Sequence, residues 1–330
     1  MTTTNTVHAF IVPTTTTTTT NNLNSNRHHR IGNRSSLSKT SLHLLKATTT
    51  DTTTTTNTST YIPRISSQDL QTLSKDGYVV IENFIPSTDN GINLKEALRD
   101  DILNLRSKSK FKIAKIGQDT TNKLNEEIRV AETCFLGKEK PELRNVYNQR
   151  REQLYDLLEF LRIDLEENSN NGNSIKLDQK LSEFLYAYYP TGGFYRRHRD
   201  AVKGSVSYLR QYSLLLYLNT DNYSSDKDGG QLRIHFDSGK DFLPVDETPN
   251  YIDINANGGT LVLFESSKFP HEVLNTSSER FAIVGWYNRP MSFTDISSIS
   301  SNKDGDPVRL IGLAVAAGLV TVGLINILGS

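Results

Sequence analysis

The sequence predicts a mainly β protein with flanking helices, an α+β fold whose core is a double-stranded β-helix of the jelly-roll type. Two observations carry this. From residue 181 onward, short runs of β-branched, aromatic and leucine residues are separated by turn signals: Pro190-Thr-Gly-Gly193, Asp228-Gly-Gly230, Asn257-Gly-Gly259 and Asn275-Thr-Ser-Ser278. Before them, apolar residues recur at helical spacing. Helices followed by many short strands with Gly-rich turns imply helices packed outside a doubled sheet. No internal repeat is visible.

The elements follow in chain order. Residues 1–60 are dominated by Thr, Asn and Ser, with no Asp or Glu before Asp51. Such a segment buries too little apolar surface to offset its chain entropy, so disorder is expected. Arg27, His28, His29, Arg30, Arg34, Lys39 and Lys46 make it basic, as in an organelle transit peptide; the alternative is a low-complexity tail with no address. The apolar patch Ala9-Phe-Ile-Val12 is too brief for a signal-peptide core. Residues 61–300 are expected to form one domain, with helical support over 61–180 and the jelly-roll core over 181–290. Ser67 is placed as the cap of a short helix carrying Leu70 and Leu73, and Gly77–Ile85 reads as a strand. Leu98, Ile102 and Leu105 mark a second helix. Leu143, Val146, Tyr147, Leu154, Leu157, Leu158 and Leu161 mark a longer one. Residues 108–142 read as a long connection, suited to a lid. Strands are expected near 183–190, 208–218, 231–236, 251–254, 260–265, 269–275 and 280–288.

Residues 301–330 are expected to form a linker and a hydrophobic helix. The stretch 310–325 is uncharged and Asn326, Ile327 and Leu328 follow, close to the roughly 20 residues a membrane span requires. Gly312, Ala316, Gly318 and Gly323 suit close packing in lipid, so 310–328 is expected to anchor the chain to a membrane. The alternative is a helix docked on protein. Localisation is expected to be intracellular. Charge is balanced, with 37 basic and 37 acidic residues, so bulk electrostatics gives no reason to expect nucleic acid. Cys134 is the only cysteine, which excludes an internal disulfide and a Cys-based zinc site.

The chemistry concentrates between residues 198 and 280. Two imidazoles and one carboxylate can hold a non-haem Fe(II) on one face and leave its other positions open. The pattern His-x-Asp occurs twice, at His198-Arg-Asp200 and His235-Phe-Asp237, and residues two apart on a strand point the same way. The first pair is preferred. In the second, Leu232, Ile234 and Phe236 make the apolar face, which puts Arg233, His235 and Asp237 on a wet face and makes His235 a surface or turn histidine. Only His198, His235 and His271 lie beyond residue 43, so a second imidazole for the first pair is sought in His271. Arg280 opens the following strand on one face with Ala282, Val284 and Trp286. It is either an anchor for a co-substrate carboxylate or an ordinary hairpin-end arginine.

At this point the chain resembles the prolyl 4-hydroxylase branch of the Fe(II)/2-oxoglutarate oxygenases, and is similar more narrowly to the hypoxia-inducible-factor-type prolyl hydroxylases. The resemblance spans about 66–290. It is carried by Tyr189-Pro-Thr-Gly-Gly-Phe-Tyr-Arg-Arg-His-Arg-Asp200, Leu216-Tyr-Leu-Asn219, Asp228-Gly-Gly-Gln-Leu-Arg-Ile234, Gly258-Gly-Thr-Leu-Val-Leu-Phe264, Pro270-His-Glu-Val273 and Arg280-Phe-Ala-Ile-Val-Gly-Trp-Tyr287. The resemblance implies His198, Asp200 and His271 as iron ligands. It implies Arg280, Tyr217 and Tyr189 around 2-oxoglutarate, and Tyr195, Trp286 and Arg129 at the substrate pocket. Collagen-type enzymes place a Lys one position after the Arg280 site. Ile128-Arg129 resembles that family's mobile loop, without the acidic residue expected next, since Val130 and Ala131 follow. The turn before the triad is one residue shorter than in the family.

What the resemblance implies is hydroxylation of a proline-containing protein or peptide with Fe(II), 2-oxoglutarate and O2, releasing succinate and CO2, with ascorbate as a further cofactor. Two other readings stand beside it. One is an oxygenase of another side chain or a small molecule, since a fold does not fix its substrate. The other is a membrane-tethered binding module without turnover, against which the intact triad and Arg280 argue.

Overall fold

The structure is a computed structural model that describes residues 9–12, 60–86, 93–115, 125–137, 140–167, 175–179, 183–236, 250–292 and 294–295. Most of the Thr-rich segment 1–60 lies outside these residues, as does the whole of 301–330 with its hydrophobic stretch. Among the described residues, no helix is long and apolar enough to cross a membrane. Strands β1 (Ala9–Val12) and β2 (Thr60–Pro63) form a two-stranded sheet of their own.

The remaining strands build two antiparallel sheets. They are β3 (Tyr78–Ile81), β4 (Lys112–Ile113), β5 (Arg129–Val130), β6 (Glu132–Phe135), β7 (Glu183–Tyr189), β8 (Phe194–His198), β9 (Arg210–Tyr217), β10 (Leu232–His235), β11 (Tyr251–Ile254), β12 (Leu261–Glu265), β13 (His271–Val273) and β14 (Arg280–Asn288). The major sheet has the order β3-β12-β9-β14-β7-β6-β4, and the minor sheet β11-β10-β13-β8-β5. Their inner faces pack together. Leu215, Tyr217, Val262, Phe264 and Ala282 of the major sheet share one core with Leu232, Ile234 and Ile254 of the minor sheet. Ala187 and Tyr189 share a second core with Val273, against which Tyr195 and Trp286 pack. This is the expected jelly-roll sandwich. Full burial of each such aliphatic or aromatic side chain is worth about 1.5–3 kcal/mol.

Three helices support the sheets: α1 (Ser67–Asp76), α2 (Leu94–Ser107) and α3 (Gln149–Glu167). The outward residues of β7 and β14 face α2 and α3. Tyr186 Oη donates to Asp101 of α2 at 3.1 Å, and Tyr287 Oη donates to the Leu158 carbonyl of α3 at 2.7 Å. Asp101 also accepts from Arg151 Nε at 2.7 Å and Asn148 Nδ2 at 2.9 Å, so both helices and the sheet meet at one buried carboxylate. A fourth helix, α4 (Ser225–Asp228), is a single turn before β10.

Several expectations are corrected. The cap of α1 is Ser66, not Ser67: its backbone is extended, and its hydroxyl accepts from Asp69 N at 3.1 Å. The strand after α1 is shorter than 77–85, because Gly77 is the left-handed cap of the helix and pairing with β12 ends at Ile81. The long helix starts at Gln149. Leu143 sits in a separate 3-10 turn over Pro141–Leu143, and Tyr147 is 81% exposed. The connection 108–142 is not simply a loop: β4 and β6 extend the major sheet, and β5 pairs with β8. Part of that connection, 116–124 and 138–139, lies outside the described residues.

Candidate active site

The triad residues come together on the minor sheet. β13 pairs with β8 so that His271 and His198 are register partners, and their ring centroids are 4.3 Å apart. Asp200 follows β8 by two residues. Its Oδ1 lies 3.6 Å from His198 Nε2, and its Oδ2 lies 3.5 Å from His271 Nε2. The ligating atoms of the three side chains lie within 4.8 Å of one another, room for one ion. Both imidazoles turn Nδ1 toward backbone carbonyls, His198 toward Arg196 O at 2.8 Å and His271 toward Phe269 O at 3.2 Å. Nδ1–H therefore donates in each ring, and the Nε2 lone pair faces the carboxylate, as metal binding requires.

Electrostatics agree with that arrangement. Burial drives the His271 pKa down to about 4, against the opposing pull of Asp200, so the ring is neutral at neutral pH. Burial alone would raise the Asp200 carboxyl, but His271 and His198 beside it outweigh burial and hold it well below the usual carboxylate range. The site thus presents two imidazoles and one carboxylate. That donor set suits a divalent iron.

A second feature lies on the inner face of the major sheet. Arg280 is fully buried, at 0% exposure, and is the largest such side chain. Its Nε donates to Gly230 O at 2.9 Å, while Nη1 and Nη2 have no partner. The Tyr217 hydroxyl is also buried without a partner. The Arg280 guanidinium carbon lies 4.9 Å from both the Tyr189 and the Tyr217 ring centroids. Burial pushes the Tyr217 pKa up to about 12, so its hydroxyl keeps its proton and can donate. A buried cation with orphaned donors beside an orphaned phenol is costly unless an anion fills the place. A carboxylate would satisfy these donors. Gly230 permits the approach: its φ is +70°, and a Cβ there would meet Arg280 Cδ at 2.9 Å and the Tyr223 hydroxyl at 2.7 Å.

Around the triad, the Tyr195 ring stacks on His198 with centroids 3.6 Å apart, and the Arg129 guanidinium lies 4.4 Å from the Tyr195 centroid. Trp286 is the register partner of Ser213, whose hydroxyl donates to Asp200 Oδ2 at 2.7 Å. Arg129 Nε and Trp286 Nε1 are buried donors without a partner. The residues expected at the site from the sequence therefore lie on β7, β8, β9, β13 and β14, at the edge strand β5 or, for Asp200, two residues past β8.

His235 is not where it was expected. It points away from the core, as the strand alternation requires, yet it is only 7% exposed. Glu272 Oε1 lies 3.1 Å from its Nε2, and the Tyr251 ring covers it at 6.0 Å. The outer face is dry there because two neighbouring strands supply a carboxylate and an aromatic ring. Asp237 lies outside the described residues.

The sequence reading missed Ser213, Ser266 and Arg210. Arg210 stacks on Trp286 at 3.6 Å and donates through Nη1 to the Asp200 carbonyl at 3.2 Å. The serines had a readable signal. Ser213 alternates with Leu215 and Tyr217, and Ser266 with Val262 and Phe264, so each is a polar residue at an inward position. A polar groove of about 540 Å³, lined by Asn83, Thr220, Asp221, Asn255 and Asn257 among others, contains none of the expected site residues.

Residues 184–288, from β7 to the end of β14, match the family model of the 2OG-Fe(II) oxygenase superfamily. Among solved structures, a prolyl-4-hydroxylase from Pseudomonas putida is similar at 25% identity and a TM-score of 0.51, covering 68% of this chain and 98% of that one. A prolyl hydroxylase from Trichoplax adhaerens, solved with a peptide fragment of the hypoxia inducible factor oxygen degradation domain, shares the fold. It has 22% identity and a TM-score of 0.52, over 72% of this chain and 92% of that one. Residues 184–288 are a 2OG-Fe(II) oxygenase domain, and the chain is a 2-oxoglutarate-dependent dioxygenase similar to prolyl 4-hydroxylases.

Proposed function

We propose that the protein hydroxylates prolyl residues in a protein or peptide, as a peptidyl-proline 4-dioxygenase of the hypoxia-factor type. In balance, one 2-oxoglutarate, one O2 and one C–H bond give succinate, CO2 and one C–OH. His198, Asp200 and His271 are the residues that hold Fe(II). Arg280 and Tyr217 hold the distal carboxylate of 2-oxoglutarate, and Tyr189 lines that pocket. When bound, iron and 2-oxoglutarate supply the oxidising power that activates O2; ascorbate serves as the reductant that returns iron to Fe(II).

The observation that carries the reading is Arg280, a buried guanidinium whose two terminal nitrogens have no partner, next to the equally unpartnered Tyr217 hydroxyl. Their roles follow from charge. Arg280 neutralises the carboxylate, Tyr217 donates to it, and the inward Leu215, Val262 and Phe264 of β9 and β12 exclude water, which strengthens both contacts. His198 and His271 keep their Nδ1 protons on carbonyls, so their Nε2 atoms remain available to metal.

The peptide half of the proposal rests on the mouth of the site. Tyr195 and Trp286 stand beside the triad as aromatic neighbours for a pyrrolidine ring. Arg129 Nε and Trp286 Nε1 are unpartnered donors, which suits the carbonyl oxygens of an extended peptide. The chain is further proposed to be intracellular, with residues 1–60 as an organelle address and 310–328 as a membrane anchor.

The test is turnover. The full-length protein with Fe(II), 2-oxoglutarate and ascorbate should form succinate in step with a +16 Da oxidation of a proline in candidate peptides, read by mass spectrometry. His198→Ala and His271→Ala should abolish both signals. Succinate formation coupled to oxidation of a different side chain, with none at proline, would refute the prolyl reading and keep the dioxygenase.

A further inference from the structure

Two buried hydroxyls connect the Asp200 carboxylate to the major sheet. Ser213 Oγ donates to Asp200 Oδ2 at 2.7 Å, and Ser266 Oγ lies 2.8 Å from Ser213 Oγ. Ser213 is 1% exposed and Ser266 is 0% exposed. An ionised carboxylate only accepts hydrogen bonds, so the Ser213 proton points at Asp200. The Ser213 oxygen is then the acceptor toward Ser266, which donates. Geometry and burial fix both proton directions.

The two serines come from neighbouring strands and reach the same place. Phe264 of β12 and Ser213 of β9 are register partners. Ser266, just past β12, donates its N–H to Gln211 O at 3.1 Å and accepts from Ala201 N at 3.3 Å. It therefore holds the strand that carries Ser213 and the residue that follows Asp200. Asp200 itself lies beyond the end of β8, where no ladder fixes its side chain. Burying two hydroxyls has a cost that hydrogen bonding to a charge offsets.

We propose that Ser213 and Ser266 form a hydroxyl relay that fixes the rotation of the Asp200 carboxylate and so sets the metal affinity of the triad. Ser213 is the positioning residue; Ser266 acts through it, by polarising and orienting the Ser213 hydroxyl. The inference rests on the reading of His198, Asp200 and His271 as metal ligands.

Anaerobic titration of the full-length protein with Fe(II), alongside thermal unfolding of the metal-free protein, tests it. Ser213→Ala is expected to weaken Fe(II) binding roughly 10- to 100-fold. Ser213→Thr keeps a hydroxyl and should restore most of the affinity, which a purely structural role would not predict. Ser266→Ala should give a smaller loss, and no further loss when combined with Ser213→Ala. Fe(II) affinity unchanged in Ser213→Ala, or equal losses in the Ala and Thr variants, overturns the relay. If Ser213→Ala does not fold, wild-type affinity in Ser266→Ala overturns it equally. His198→Ala separates the two failures: retained Fe(II) affinity there removes the ligand assignment itself, whereas its loss beside an unaffected Ser213→Ala removes only the relay.

Discussion

Arg280 is the residue whose surroundings make least sense without a ligand. Its terminal nitrogens and the Tyr217 hydroxyl are buried donors with nothing to donate to. Loss of a hydrogen bond to a charged group costs about 1.5–3 kcal/mol, roughly 10- to 150-fold in affinity. Arg280→Ala is therefore expected to raise the KM for 2-oxoglutarate by that order, measured by succinate formation at saturating peptide. Tyr217→Phe should raise it less. Without 2-oxoglutarate the phenylalanine variant should melt no lower than wild type, because the substitution removes an unsatisfied hydroxyl. A clear drop in its melting temperature would show that the hydroxyl has a protein partner. His235 makes the opposite case. His235→Ala should keep Fe(II) binding, since the ring points away from the triad. It should still destabilise the fold by about 1–3 kcal/mol, because Glu272 loses its partner. Loss of iron in this variant would instead mean that His235 belongs to the metal site. The preference for His198-Arg-Asp200 over His235-Phe-Asp237 rests on strand alternation and the scarcity of histidine. The burial of His235 was not legible in the sequence, since Glu272 and Tyr251 come from other strands.

At the scale of elements, the site depends on where strands end. His271 opens β13, Arg280 opens β14, and His198 closes β8, so these candidate site residues gather where the ladders stop. The turn Asp228-Gly-Gly230 supports this. Gly230 accepts from Arg280 Nε and sits against Arg280 Cδ in a left-handed conformation. Gly230→Ala adds a methyl where Arg280 and Tyr223 leave no space. It should lower the melting temperature and weaken 2-oxoglutarate more than Fe(II), as read by separate titrations. Equal weakening of both would place its effect in general unfolding. Strand positions were readable because period-2 alternation and turn residues are local signals. β4, β5, β6 and β8 were not among the expected strands: β4 and β5 have only two residues each, and β5 and β6 are defined by pairing with β8 and β7.

For the whole molecule, the two sheets divide the work. The minor sheet carries His198 and His271, with Asp200 two residues past β8, and the major sheet carries Arg280, Tyr217, Tyr189 and Trp286. Facing sheets bring residues 198 and 280 into one interior, and α2 and α3 brace the back of the major sheet through Asp101. The ends of the chain make a separate prediction. If 310–328 anchors the protein, full-length protein should stay with membranes through carbonate extraction, and a version ending at residue 305 should be released. Equal release of both would favour a docked helix.

The sequence by itself determined the fold class, most strand positions from residue 183 onward and the short list of candidate ligands. Hydrophobic periodicity is local, and only three histidines lie beyond residue 43. Tertiary structure alone decided which donors are buried without partners, why His235 is dry, and how Ser213 and Ser266 reach Asp200. Each of these depends on groups from strands far apart in sequence. Burial and hydrogen-bond satisfaction are properties of the packed sheets, not of any one strand.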